Sequence, residues 1–174
     1  MDNPTSPRLA IVIPAFRMHT QLFGNVLNGV PEDDALKRVE GKTNHVAWMA
    51  GNMVNCRYWL GETLGLSERD PAEELFKEGR ALDEKLEYPT LALLLERWHN
   101  ISPKVYRKLL ETDDAMLDKK VEFGMGVSFL EENNLNMIGM AIGREDYLLG
   151  QLGLMRKILG LPGMKYDVNE AIKY

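Results

Sequence analysis

The sequence predicts an all-α protein: a four-helix bundle with an additional short helix in a long connection. Three observations carry this expectation. Four long segments repeat their apolar residues at three- and four-residue steps, the signature of helices with one buried face. No comparable segment alternates apolar and polar residues as a half-buried strand does. The chain has 174 residues, 45% of them hydrophobic, which is enough for one domain with a sizeable core and too few for two ordinary ones. Four helices with one apolar face each can bury a common core, although periodicity leaves their connection order open.

In the first helix Leu9, Val12, Phe16, Phe23, Leu27 and Val30 form the apolar stripe. Pro14 should bend this helix or shift its start, because it has no amide donor and crowds the preceding turn. The second helix is expected to begin near Thr43 or Asn44, whose side chains can cap free amides, and to end near Gly65, which tolerates a left-handed exit. Its stripe reads His45, Trp48, Met49, Asn52, Cys56 and Trp59.

Residues 66 to 88 read as a surface connection carrying a short amphipathic helix after Pro71, with Glu73 and Glu74 in its first turn. A third helix starts near Pro89 and presents Leu91, Leu94, Leu95, Trp98, Val105 and Leu109, with Pro103 expected to kink or interrupt it. A charged, glycine-bearing loop follows from Glu111 to Phe129. Asn133 or Asn134 then starts the fourth helix, which runs to Gly160 and is stopped by Pro162 and Gly163. One broad face of that helix holds Met137, Ala141, Arg144, Leu148, Leu152, Met155 and Leu159.

Composition narrows the function classes. A net charge of -5 and a pI near 5.3 provide no basic footprint, so neither nucleic acid nor an anionic membrane is an expected partner. Leu9 to Phe16 is too short for a secretion signal and reads as the start of a core helix. No run approaches the roughly 20 apolar residues needed to cross a bilayer. The single cysteine, Cys56, cannot form an internal disulfide, which fits a reducing, cytoplasmic setting. No repeat of solenoid length and no low-complexity linker divides the chain.

Two polar residues interrupt the apolar stripes: Asn52 on the second helix and Arg144 on the fourth. Both are expected to face inward. They lie in two blocks of sequence that carry a resemblance. Asn44-His45-Val46-Ala47-Trp48-Met49-Ala50-Gly51-Asn52, followed by Arg57-Tyr58-Trp59-Leu60, resembles the second helix of DinB-like proteins, also called YfiT-like putative metalloenzymes. Arg144-Glu145-Asp146-Tyr147-Leu148-Leu149-Gly150-Gln151-Leu152, continuing through Arg156 to Leu159-Gly160-Leu161-Pro162-Gly163-Met164-Lys165-Tyr166, is similar to that family's last helix and tail.

The resemblance implies a four-helix bundle with a long-connection topology, commonly a homodimer. It also implies a metal site of one histidine on the second helix and a His-x-x-x-His pair on the last, leaving a position open for water or thiol chemistry. Carried across residue by residue, the three ligand positions fall on Asn52, Arg144 and Leu148. Asparagine offers a weak amide oxygen, arginine is a permanent cation without an acceptor, and leucine has no donor atom. The expected consequence is a degenerate site with no metal and no cofactor.

The three histidines, His19, His45 and His99, fall on three different helices and lack the spacing of a relocated metal site, so capping, core-edge or surface roles are expected for them. Cys56 lies one turn beyond Asn52. It reads as a small core residue unless a nearby cation such as Arg144 lowers its pKa. For Arg144 there are three readings: a snorkelling stem, a carboxylate pair, or a hold on an anionic ligand, with Asn52 positioning the guanidinium. The expected function is non-metallic binding of a small anionic or thiol ligand, or a role in assembly, with Asn52, Arg144, Leu148 and Cys56 as pocket candidates. The alternative is a thiol-dependent transferase or hydrolase-like enzyme using an altered or relocated site.

Overall fold

The computed structural model describes residues 3–174, and its regular structure among them is helical, with a single isolated bridge between Lys120 and Asn133 in place of any strand. Four long helices, α1 (Val12–Leu27), α3 (Val46–Thr63), α4 (Leu91–Glu111) and α6 (Asn134–Ile158), are accompanied by single turns α2 (Glu32–Ala35) and α5 (Asp114–Leu117). Helix α3 packs against α4 and α6, and α1 packs against the same two, so α1 and α3 face each other diagonally across one core. The all-α expectation holds.

Local chemistry explains most boundaries. Pro14 is the third residue of α1, where an amide has no intrahelical acceptor, so it shifts the helix start without bending it. The cap of α3 is His45, one residue beyond the expected Thr43 or Asn44: its Nδ1 accepts from the Trp48 amide at 2.9 Å. At the other end Leu66 N–H donates to the Gly61 carbonyl and Gly65 N–H to that of Glu62, with Gly65 at φ +87°. This paired closure needs a left-handed residue, as the glycine predicted.

Helix α4 starts at Leu91, capped by Thr90 and also by the Glu32 carboxylate, which accepts from the Leu91 and Ala92 amides. Pro103 does not interrupt it. The carbonyl that loses its donor belongs to His99, an exposed residue, so water can satisfy it. Asn133 caps α6 by accepting from the Asn136 amide at 2.9 Å, as expected.

The connection after Pro71 differs from expectation. It contains two 3-10 turns, Glu73–Leu75 and Lys77–Gly79, where an α-helix was predicted. Nor is it mere surface, since Phe76 is buried against α3. Its ring lies where a Cβ on Gly51 would come within 2.6 Å, so the glycine is what admits it.

The inward face of α3 is rotated by about one residue from the predicted stripe, whereas that of α6 keeps the predicted Met137, Ala141, Leu148, Leu152 and Met155 and takes Glu145 in place of Arg144. One buried series on α3 runs Val46, Ala50, Met53, Arg57 and Leu60 and continues to Leu64 at its C-cap; one on α6 runs Ile138, Ala141, Glu145, Leu148, Leu152 and Met155. Each keeps the alternating four- and three-residue step of a packed seam. Each carries one charge, and the charges are opposite.

Candidate functional site

Arg144 is solvent-exposed and Asn52 half-buried, which corrects the expectation that both face inward. They are nevertheless in contact. Arg144 donates from Nε and Nη2 to the same Asn52 side-chain oxygen, at 3.2 and 3.1 Å. Its guanidinium carbon lies 5.4 Å from the Tyr147 ring centroid, and no carboxylate pairs with it among the described residues.

These two residues stand at a cleft of about 800 Å³ between α3, α6 and the connection after α3. Cys56, Trp59, Met140 and Ala141 form its apolar wall, and Phe76 and Phe123 close it from the connecting segments. The Trp59 and Phe123 ring centroids are 5.4 Å apart. Phe123 is held there by its loop, in which the Glu132 carboxylate accepts the amides of Phe123, Gly124 and Met125 at 2.6 to 2.9 Å. Those backbone hydrogen bonds hold the Glu132 carboxyl below its ordinary value.

The four candidate positions divide. Asn52, Arg144 and Cys56 line the cleft, whereas Leu148 is wholly buried in the core and does not reach it. The donor set does not fit a metal ion. The Asn52 oxygen is engaged by a permanent cation, and Leu148 supplies no ligand atom. Among the described residues no group of three or more His, Cys, Asp or Glu side chains is arranged to hold one.

Cys56 points its thiol to the Ala141 carbonyl, 3.6 Å away. Burial and then the Glu145 charge push its pKa up to about 12, and the opposing pull of Arg57 and Arg144 does not compensate. The lowered pKa that nucleophilic chemistry would require is therefore not what this environment produces.

Two buried charges that sequence reasoning missed lie on the inward seams of α3 and α6. Arg57 and Glu145 are both wholly buried and meet through two hydrogen bonds of 2.7 Å, Nε to Oε1 and Nη2 to Oε2. Nη1 donates to the Thr20 and Ser102 hydroxyls at 3.0 and 3.2 Å. The guanidinium carbon lies 3.7 Å from the Phe16 ring centroid and 3.9 Å from that of Trp98, so the cation is sandwiched between two aromatic faces. Residues of all four long helices take part.

His19 extends this network to the surface. Its Nδ1 faces Glu145 at 2.9 Å and its Nε2 faces the exposed Asp146 at 2.8 Å. Burial alone would lower the imidazole pKa, but hydrogen bonds and charges from Glu145 and then Asp146 outweigh it, leaving the value raised. Burial would likewise raise Glu145, yet the Arg57 charge, with the His19 and Arg57 hydrogen bonds, holds it below its ordinary value. His45 behaves oppositely: burial drives its pKa down to about 4, consistent with a neutral ring accepting the cap bond. His99 is exposed on α4.

A cluster that satisfies four of the five N–H groups of Arg57 inside the core ties the four long helices together, whereas the Arg144 cleft opens to solvent. No described helix is long and apolar enough to cross a membrane. Neither a protein-family model nor a curated protein matches this chain.

Proposed function

We propose that this chain is a DinB-like four-helix bundle whose metal-ligand positions have become a polar clamp, and that it binds a small ligand in the adjoining cleft without a metal. The observation that carries this reading is Arg144 at the rim of the apolar cleft, fixed by a neutral amide and paired with no carboxylate among the described residues. A guanidinium so held keeps N–H donors available for an anion. The cleft volume lies within the range of small-molecule sites, roughly 300–1,000 Å³. A cytoplasmic setting and a homodimer belong to the same proposal, resting on the lone cysteine and on the resemblance.

The thiol-transfer alternative loses support from the Cys56 environment, which favours the neutral thiol. Metal analysis of protein purified without an affinity tag is the first test, and stoichiometric zinc or nickel bound through these positions would overturn the reading. The second is a thermal-stability screen with carboxylates and thiols. The proposal expects at least one ligand to raise the melting temperature of the native chain and to lose that effect in Arg144→Ala. A solution-mass measurement checks the dimer.

A further inference from the structure

The cleft has two ends of different chemistry, and their separation defines a ligand class. At one end stands the Arg144–Asn52 clamp. The other cations at the cleft, Arg69 and Lys77, are already paired with Glu62 and Glu73 and with Glu74. One guanidinium is therefore left to meet an anion. A single such group matches one carboxylate better than a doubly charged phosphate, for which the site offers no second unpaired cation.

The far end is aromatic, with the Trp59 and Phe123 rings side by side and tilted by 56°. Trp59 lies seven residues beyond Asn52 on the same helix, about 10 Å along the axis at 1.5 Å per residue. Between them the wall is Cys56, Met140 and Ala141, with the Cys56 thiol turned to the Ala141 carbonyl and the side-chain amide of the neighbouring Asn55 donating to Asp70 at 3.3 Å. A polar group in the middle of a ligand would meet chiefly apolar side chains there. At the distal side Arg69 and Glu62 are paired with each other, so no unpaired cation waits there for a second negative charge.

Resting on the reading of this cleft as a ligand site, we infer that it takes an elongated monocarboxylate with an uninterrupted apolar body about 10 Å long and an aromatic tail. The carboxylate bonds Arg144 and the tail packs at Trp59 and Phe123. Recognition then needs both ends: the ion pair alone at an exposed site is weak, and the apolar contact alone is indifferent to charge.

Calorimetric titration of the full chain tests this with biphenylcarboxylate, its primary amide, benzoate, biphenyldicarboxylate and decanoate. The expected result is that biphenylcarboxylate binds at least tenfold more tightly than each of the other four. Arg144→Met should erase the preference for acid over amide, and Phe123→Ala, a change at an exposed residue that leaves the core intact, should weaken acid and amide together. Equal binding of acid and amide, or an acid preference that survives Arg144→Met, overturns the carboxylate assignment. Tighter binding of decanoate overturns the aromatic tail, and tighter binding of the dicarboxylate overturns the single charge. If thiols or phosphate stabilise the chain through Arg144 while biphenylcarboxylate does not bind, the ligand class fails and the cleft survives as a site. If no ligand binds, both fall.

Discussion

Arg57 and Glu145 meet as a two-pronged ion pair with no exposure to solvent, each the lone charge on the inward seam of its helix. Removing one partner leaves the other charged and buried. Arg57→Met and Glu145→Met should each lower unfolding free energy by about 3–5 kcal/mol. The double variant Arg57→Met with Glu145→Met should lose clearly less than the sum of the single losses, because neither charge is stranded. Urea denaturation of the four proteins measures the coupling, and simple additivity would count against a paired role.

His19 links stability to high pH. Its folded pKa is raised, so its contribution is fully present below the unfolded value near 6.5 and fades as pH rises through the folded value. Protonated, the ring can donate to both Glu145 and Asp146; once it loses a proton, one of those contacts loses its donor. His19→Gln should flatten this part of the stability profile. An imidazole titration followed by NMR checks the direction, and a midpoint below 6.5 would contradict it.

His45 links stability to low pH through the cap of α3. Its pKa falls from 6.5 unfolded to about 4 folded, so the unfolded chain binds the extra proton first and stability declines as pH drops from 6.5 towards 4. His45→Asn keeps an acceptor at the cap and should remove this acid dependence. His45→Ala should cost about 1 kcal/mol at neutral pH. Melting curves between pH 4 and 8 separate the three proteins.

Cys56 should be a poor nucleophile. With its pKa pushed up to about 12 against an ordinary 9, its thiolate population at pH 8 lies well below that of a free thiol. Alkylation of the native chain should be slow in proportion, and fast upon unfolding. Rapid native labelling would restore the thiol-based alternative.

Glu132 should govern the order of the loop that brings Phe123 to the cleft. Glu132→Ala removes the acceptor shared by the Phe123, Gly124 and Met125 amides. Hydrogen exchange at those three amides should accelerate while exchange in α6 is unchanged. The same substitution should loosen the Trp59–Phe123 contact, seen as altered tryptophan fluorescence.

The sequence by itself determined the helices, because their causes are local. Periodicity marked the four long elements, and Asn133, Gly65 and Gly160 act through their own backbone and cap geometry at the ends. It also put Asn52 and Arg144 among the candidate pocket residues, two positions that the structure brings into contact. What it did not resolve was which of two neighbouring stripes faces in. On α3 the apolar residues extend round the helix, Trp48 and Met49 being buried beside Ala50 and Met53, so periodicity cannot place the seam to within one residue. The alternating step through Arg57 and Glu145 was legible, but a charge on a seam is ordinarily evidence against burial. Only the tertiary packing, in which α3 and α6 set the two opposite charges 2.7 Å apart and α1 and α4 bring the Phe16 and Trp98 faces over Arg57, makes their burial favourable and leaves Arg144 outside. The cleft was decided the same way: Phe76 and Phe123 arrive from connections whose course depends on Gly51 and Glu132, contacts that no local rule encodes.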